Sequence, residues 1–190
     1  MRILLVASAS LLAISSANAG TYMGMYGGWN ESNVIALPFV DRQPGMVVGG
    51  VFGTDTGIPG LRFEADLSFR QNVVEIFGGI INADQDTTAL LGNVAYDIPL
   101  GLPVTPYLTA GAGYAQTRAT FEDVALLRLE ASGLAWQVGG GLSASVSGVT
   151  FGVGYRYLQG PKLDPLSGLG VPDLSDGTNH SVVAEMRFPL

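Results

Sequence analysis

The chain has 190 residues, charged side chains at only 13% of positions, a formal net charge of −7, 27 glycines and no cysteine. That length fits one domain, the missing cysteines exclude a disulfide framework and thiolate chemistry, and the acidic balance excludes a nucleic-acid-binding surface. A mean hydropathy of +0.34 is too apolar for a typical soluble domain, yet after residue 20 no apolar run approaches the ~18 residues of a membrane helix.

In chain order, Met1 and Arg2 lead into an apolar stretch over 3–14, followed by Ser15, Ser16 and the triplet Ala17-Asn18-Ala19. Small residues at the first and third positions of that triplet suit a signal peptidase, so cleavage is expected between Ala19 and Gly20. This makes 1–19 a signal peptide and 20–190 the mature domain. A membrane anchor is the competing reading, but the stretch is short and no basic flank follows it.

Eight strand-like pieces follow, at 22–30, 46–54, 61–70, 88–98, 106–118, 134–146, 149–158 and 181–188. The third is the clearest. Leu61, Phe63, Ala65, Leu67 and Phe69 alternate with Arg62, Glu64, Asp66, Ser68 and Arg70, which is a strand with one apolar and one ionic face. Ten residues is about what a tilted strand needs to cross a bilayer. Short turns after the second, fourth and sixth pieces alternate with longer stretches after the others, and Ser147-Gly148 is a two-residue hairpin turn. The expected fold is therefore all-β, an eight-stranded antiparallel up-and-down transmembrane β-barrel. A soluble lipocalin-like barrel shows the same alternation with its faces exchanged; the export signal favours the membrane form.

Parity assigns the lipid face on four strands. Outward residues are the apolar set of the third piece, then Leu134, Trp136, Val138 and Leu142 on the sixth. The seventh presents Val149, Phe151, Val153, Tyr155 and Tyr157, and the eighth Val182, Ala184, Met186 and Phe188. Trp136, Phe69 and Tyr157 fall at one end and Phe63, Tyr96 and Phe188 at the other, as two aromatic girdles require. The first two pieces are too glycine-rich to assign. Inward glycines, among them Gly111, Gly139, Gly152 and Gly154, leave room for long charged side chains in a narrow lumen.

Those inward positions carry Arg62, Arg70, Arg156 and Arg187 against Glu64, Asp66, Asp97 and Glu185. An eight-stranded interior is just wide enough to be filled by side chains, and unpaired buried charges are costly. An ionic plug is expected, with Arg62, Glu64 and Asp66 reaching across the lumen to Glu185 and Arg187.

YMGMYGGWN near the start, GLRFEADLSFR, PYLTAGAGYA, GYRYL and NHSVVAEMRF resemble, in that order and spacing, the small outer-membrane β-barrel proteins of the opacity-type and OmpA-like group. The resemblance covers nearly the whole mature chain. It implies residence in the cell outer membrane, a structural or surface role and no cofactor; the alternation of short and long connections puts both termini in the periplasm, and no metal site is expected. The expected partners are outer-membrane lipids and the outer-membrane assembly machinery, with lipopolysaccharide and a host or phage surface ligand suggested by the charge of the outside stretches. Such chains usually end on an aromatic residue, whereas here Phe188 is followed by Pro189 and Leu190. A narrow porin-like channel is the alternative, and a lipid A-modifying enzyme ranks third.

Catalysis would need His180 and Ser181, the only His/Ser neighbours. Adjacent strand residues point to opposite faces, so the pair is expected not to act as base and nucleophile. Residues 82–86 imitate the opening of a calcium loop but lack its glycine and closing glutamate, Thr87 and Asn93 standing there instead. The expected outside stretches carry Glu31, Asp41, Glu75, Asp84, Asp86, Glu122, Asp123, Glu130, Asp164, Asp173 and Asp176 against Arg42, Arg128 and Lys162. A solvated acidic surface accounts for this; carboxylates bridged to lipopolysaccharide by divalent cations are the sharper reading.

Overall fold

A computed structural model describes residues 20–34, 40–42, 44–76, 81–121, 128–162 and 175–190. The expected signal segment 1–19 lies outside the described residues, as do Glu122, Asp123, Asp164 and Asp173. The strands are β1 (Thr21–Val34), β2 (Val40–Arg42), β3 (Gly45–Asp55), β4 (Leu61–Ile76), β5 (Ile81–Asp97), β6 (Thr105–Phe121), β7 (Arg128–Val146), β8 (Val149–Gln159) and β9 (Ser175–Pro189).

Each long strand pairs antiparallel with its neighbour in sequence, β1 pairs with β9, and β4 with β5 completes the ring. The three residues of β2 pair only with β4, Asp41 opposite Glu75, and continue the line of β3. The result is a closed barrel of eight staves. Its stagger follows from the register. From Trp29 one way round, through Met46, leads to Gln71 on β4. The other way, through Val182, Tyr155, Gly140, Leu108 and Tyr96, leads to Leu61, an offset of ten residues on the same strand. Such a stagger is what tilted strands need in order to close.

Alternation decides what lies inside. Leu67, Leu90, Val94, Leu108, Val138, Val153 and Val182 stand exposed on the outer wall. The interior instead buries Asp66, Arg70, Asn30, Thr87, Gln137, Asn179 and Ser181 almost completely. Apolar residues contribute two small internal clusters, one of Tyr22, Tyr26, Val47, Val51 and Val183, the other of Ala89, Leu91, Ala115, Ala135 and Leu158. A lipocalin-like barrel would have these faces exchanged; this wall is built to contact hydrocarbon. Trp29, Phe69, Tyr114 and Trp136 ring one end of the outer face, and Phe63, Tyr96 and Phe151 the other.

Two sequence expectations need correction. Strands run further than predicted, β4 to Ile76 and β5 from Ile81, because backbone pairing continues beyond the apolar band, where side-chain alternation no longer marks it. The connection 77–80 is therefore shorter than the turn 98–104, and long and short connections do not alternate strictly. The calcium-like stretch 82–86 is likewise no loop but part of β5, paired with both β4 and β6. The hairpin 147–148 has the turn foreseen for it, with φ +51° at Ser147 and +85° at Gly148, the left-handed pair that a two-residue β-hairpin favours.

Candidate functional site in the barrel lumen

Inward positions of β4 place Arg62, Glu64, Asp66, Ser68, Arg70 and Asn72 in one column, all buried. Three staves lie between β4 and β8 in either direction round the ring, so a contact between them crosses the full lumen. Arg156 on β8 makes that contact, its Nη1 lying 2.6 Å from Asp66 Oδ2. Its Nη2 reaches Glu185 on β9 at 3.3 Å, and its guanidinium sits 3.9 Å over the ring of Tyr26. A cation held against a carboxylate and an aromatic face, with solvent excluded, is strongly bound in place.

Asp66 is fully enclosed and collects donors from four other strands. The Tyr26 hydroxyl donates to Oδ1 at 2.7 Å. Asn93 at 3.2 Å, Gln137 at 3.5 Å and Arg156 at 2.6 Å donate to Oδ2. A buried carboxylate is tolerated when its lone pairs are met in this way.

A second group lies nearer the short turns. Arg62 bridges Glu64 at 2.6 Å and Asp97 at 2.8 Å. Tyr22 accepts from Arg62 at 2.7 Å and donates to Glu64 at 2.5 Å. Arg187 stands looser, 3.8 Å from Glu185 and 3.9 Å from Asp97. Beyond this group the lumen widens into a vestibule of about 250 Å³ lined by Tyr22, Asp55, Arg62, Asp97, Thr150 and Arg187.

All eight charges expected in the lumen line it, and seven stand in ion pairs with one another. Arg70 does not: it donates to Ser68 at 2.7 Å and Gln137 at 3.3 Å, and meets no carboxylate among the described residues. The network reaches β9 from Asp66 through Arg156 and from Arg62 through Asp97, and Gly139 on β7, which faces the Arg156 side chain, leaves that half of the lumen open. A Cβ on Gly152 would meet Glu185 at 2.8 Å, and one on Gly154 would run into the Tyr107 hydroxyl. The inward glycines are thus the space the charged and phenolic groups occupy.

Tyr22, Tyr26, Asn30 and Gln137 were not foreseen in the site. A same-face spacing of four links Tyr22, Tyr26 and Asn30, but β1 offers glycine on both faces and hides its parity. Gln137 follows from the parity of Trp136 and could have been found.

His180 and Ser181 point apart. His180 faces outward, its Nδ1 hydrogen-bonded to the Tyr155 hydroxyl, with Tyr157 edge-on to its ring. Ser181 faces inward and donates to Asn30. Among the described residues no group of three metal-ligating side chains occurs.

Against known structures the chain is similar to the Neisserial surface protein A, at 18% identity and a TM-score of 0.67, covering 91% of this chain and 99% of that one. It is similar to a major outer membrane protein from Thermus thermophilus, at 10% identity and a TM-score of 0.57, covering 90% and 99%. It is also similar to Ail, the attachment invasion locus protein of Yersinia pestis, solved with the heparin analogue sucrose octasulfate, at 14% identity and a TM-score of 0.54, covering 90% and 99%. No curated protein matches it by sequence. The family model of the outer membrane protein beta-barrel domain matches residues 3–188. With that match over nearly its whole length and a closed barrel with a polar interior and an apolar wall, the chain belongs to the outer-membrane β-barrel protein family.

Proposed function

We propose that this barrel is a non-catalytic structural and surface protein of the outer membrane whose lumen is closed to solutes and whose contacts are made by its long-loop end. The observation that carries the reading is the Asp66–Arg156–Glu185 bridge, which spans the barrel between opposite staves with all three side chains buried. A solute would have to displace it, and leaving either charge alone costs about 3–5 kcal/mol. The long-loop end faces the exterior and both termini the periplasm, because in this architecture the short turns lie on the periplasmic side.

The rim at that end is acidic. Glu31, Asp84, Asp86 and Glu130 stand there with Arg118 and Lys162, and Arg118 is held by Glu130 at 3.2 Å in a half-exposed pair. Ail was solved with a sulfated carbohydrate analogue; an acidic rim suits the opposite charge, so divalent cations bridging to lipopolysaccharide, or a basic host or phage surface, fit this chain better.

In planar bilayers the purified barrel is expected to show no steady conductance, while Arg156→Ala, which removes the crossing, produces openings. A stable wild-type pore passing small sugars would sink this reading and establish the narrow channel in its place.

A further inference from the structure

Around Arg70 the lumen presents hydrogen-bond donors that no described residue accepts. Arg70 is fully buried, and its Nε has no partner. Its two bonds go to the neutral Ser68 and Gln137, whereas Arg62, Arg156 and Arg187 each have carboxylates within 4.0 Å. Gln137 passes a donor on to Asp66, but that carboxylate already holds Arg156.

Two further free donors stand beside it. Asn72 follows Arg70 on the same face of β4, Gln85 is directly opposite Asn72 on β5, and Thr87 is opposite Arg70. Directly opposed side chains on one face lie about 5 Å apart at Cβ and diagonal ones about 7–8 Å. Both amides are buried, and Asn72 Nδ2 and Gln85 Nε2 are unpartnered. Their oxygens are engaged, Asn72 Oδ1 by Asn30 at 3.1 Å and Gln85 Oε1 by Ser32 at 3.4 Å. Thr87 is occupied with Thr117 at 3.1 Å.

We propose that Arg70, Asn72 and Gln85 form a buried anion site in the lumen, toward the long-loop end, that takes a single halide ion such as chloride. Water satisfies these donors but not the charge: the side-chain oxygens of Ser68, Asn72, Gln85 and Gln137 each receive one bond and keep a second lone pair for a water hydrogen, yet a neutral molecule leaves the buried guanidinium without a counter-charge. A monatomic anion needs donors only, and it supplies the negative charge that Arg70 lacks. Ser68 and Gln137 occupy Nη1 and Nη2 of the guanidinium, leaving Nε free. Gln137 links the site to the ion-pair plug at Asp66.

Two measurements on the full refolded barrel test it. In crystals grown with sodium bromide, an anomalous peak is expected within hydrogen-bonding distance of Arg70 Nε. In detergent, the thermal midpoint is expected to rise by a few degrees in sodium chloride or bromide over sodium gluconate at equal ionic strength. Arg70→Gln is expected to abolish that rise. Should Arg70→Gln fail to fold, Asn72→Ala with Gln85→Ala keeps the cation and is expected to weaken the response. No anomalous signal at Arg70, an ordered water in that place, equal midpoints in halide and gluconate, or a full halide response in the double amide variant would each overturn the proposal.

Discussion

Asp66 is where burial and charge meet most sharply. Its carboxylate has no solvent and four donors, from β1, β5, β7 and β8. Asp66→Asn keeps the shape but removes the charge, so Arg156 would retain only Glu185 at 3.3 Å. Breaking a buried pair in this way costs about 3–5 kcal/mol, to be read as a lower urea midpoint for unfolding in micelles. Adding Arg156→Gln to Asp66→Asn is expected to restore part of the loss, because the guanidinium that lost its carboxylate is then removed as well. A single variant as stable as wild type would show that the bridge does not hold the barrel together. At this scale the sequence is half legible: strict alternation puts Asp66 inside, but no local pattern says that its partner lies four staves away.

Between strands, the recurring device is a tyrosine laid over a glycine. Tyr26 on β1 is opposite Gly49 on β3, and Tyr22 is opposite Gly53. A Cβ on Gly49 would run into the Tyr26 ring, and one on Gly53 into that of Tyr22. Both rings belong to the lumen network, since their hydroxyls bond Asp66 and Glu64. Gly49→Ala is therefore expected to destabilise by about 1–3 kcal/mol through overpacking, with Tyr26 displaced from Asp66. Its neighbour Gly50 faces outward, where a Cβ meets only a carbonyl at 3.5 Å, so Gly50→Ala is expected to be nearly neutral in the same unfolding assay. Equal effects at the two positions would contradict the face assignment. The glycine content that makes β1 and β3 unreadable by parity is the feature that seats these rings.

For the molecule as a whole, closure gives each of the eight staves a hydrogen-bonded neighbour on both sides, and it brings β1 and β9, the two ends of the described chain, side by side at the short-turn end. A barrel with an apolar wall and a buried ionic interior resists detergent until heated. The protein is expected in the outer-membrane fraction, migrating differently on gels before and after boiling. A protease-cleavable tag within residues 163–174 is expected to be cut on intact cells, and one at Gly148 to be protected. The reverse pattern would invert the proposed orientation, and recovery from the soluble periplasm would remove the protein from the membrane. Lipid A from cells producing the barrel is expected to keep its acylation by mass spectrometry, because His180 and Ser181 face opposite sides of the wall.

By itself the sequence determined that the chain is all-β and a membrane barrel, and which residues of β4, β7, β8 and β9 look inward. The reason is that a period of two against two different solvents is written locally, residue by residue. The charge balance of the lumen was legible for the same reason. Only the tertiary structure decided who pairs with whom. The ring stagger of ten residues sets which inward positions share a level, and ion pairing in a narrow lumen depends on that level and on the glycines opposite. So Arg156 became the crossing residue, and Tyr22 and Tyr26 joined the network from a strand whose parity was hidden. Arg70, equal to the other arginines in the sequence, was left with a hydroxyl and an amide, because at its height no carboxylate of the described residues turns into the lumen within ion-pair distance.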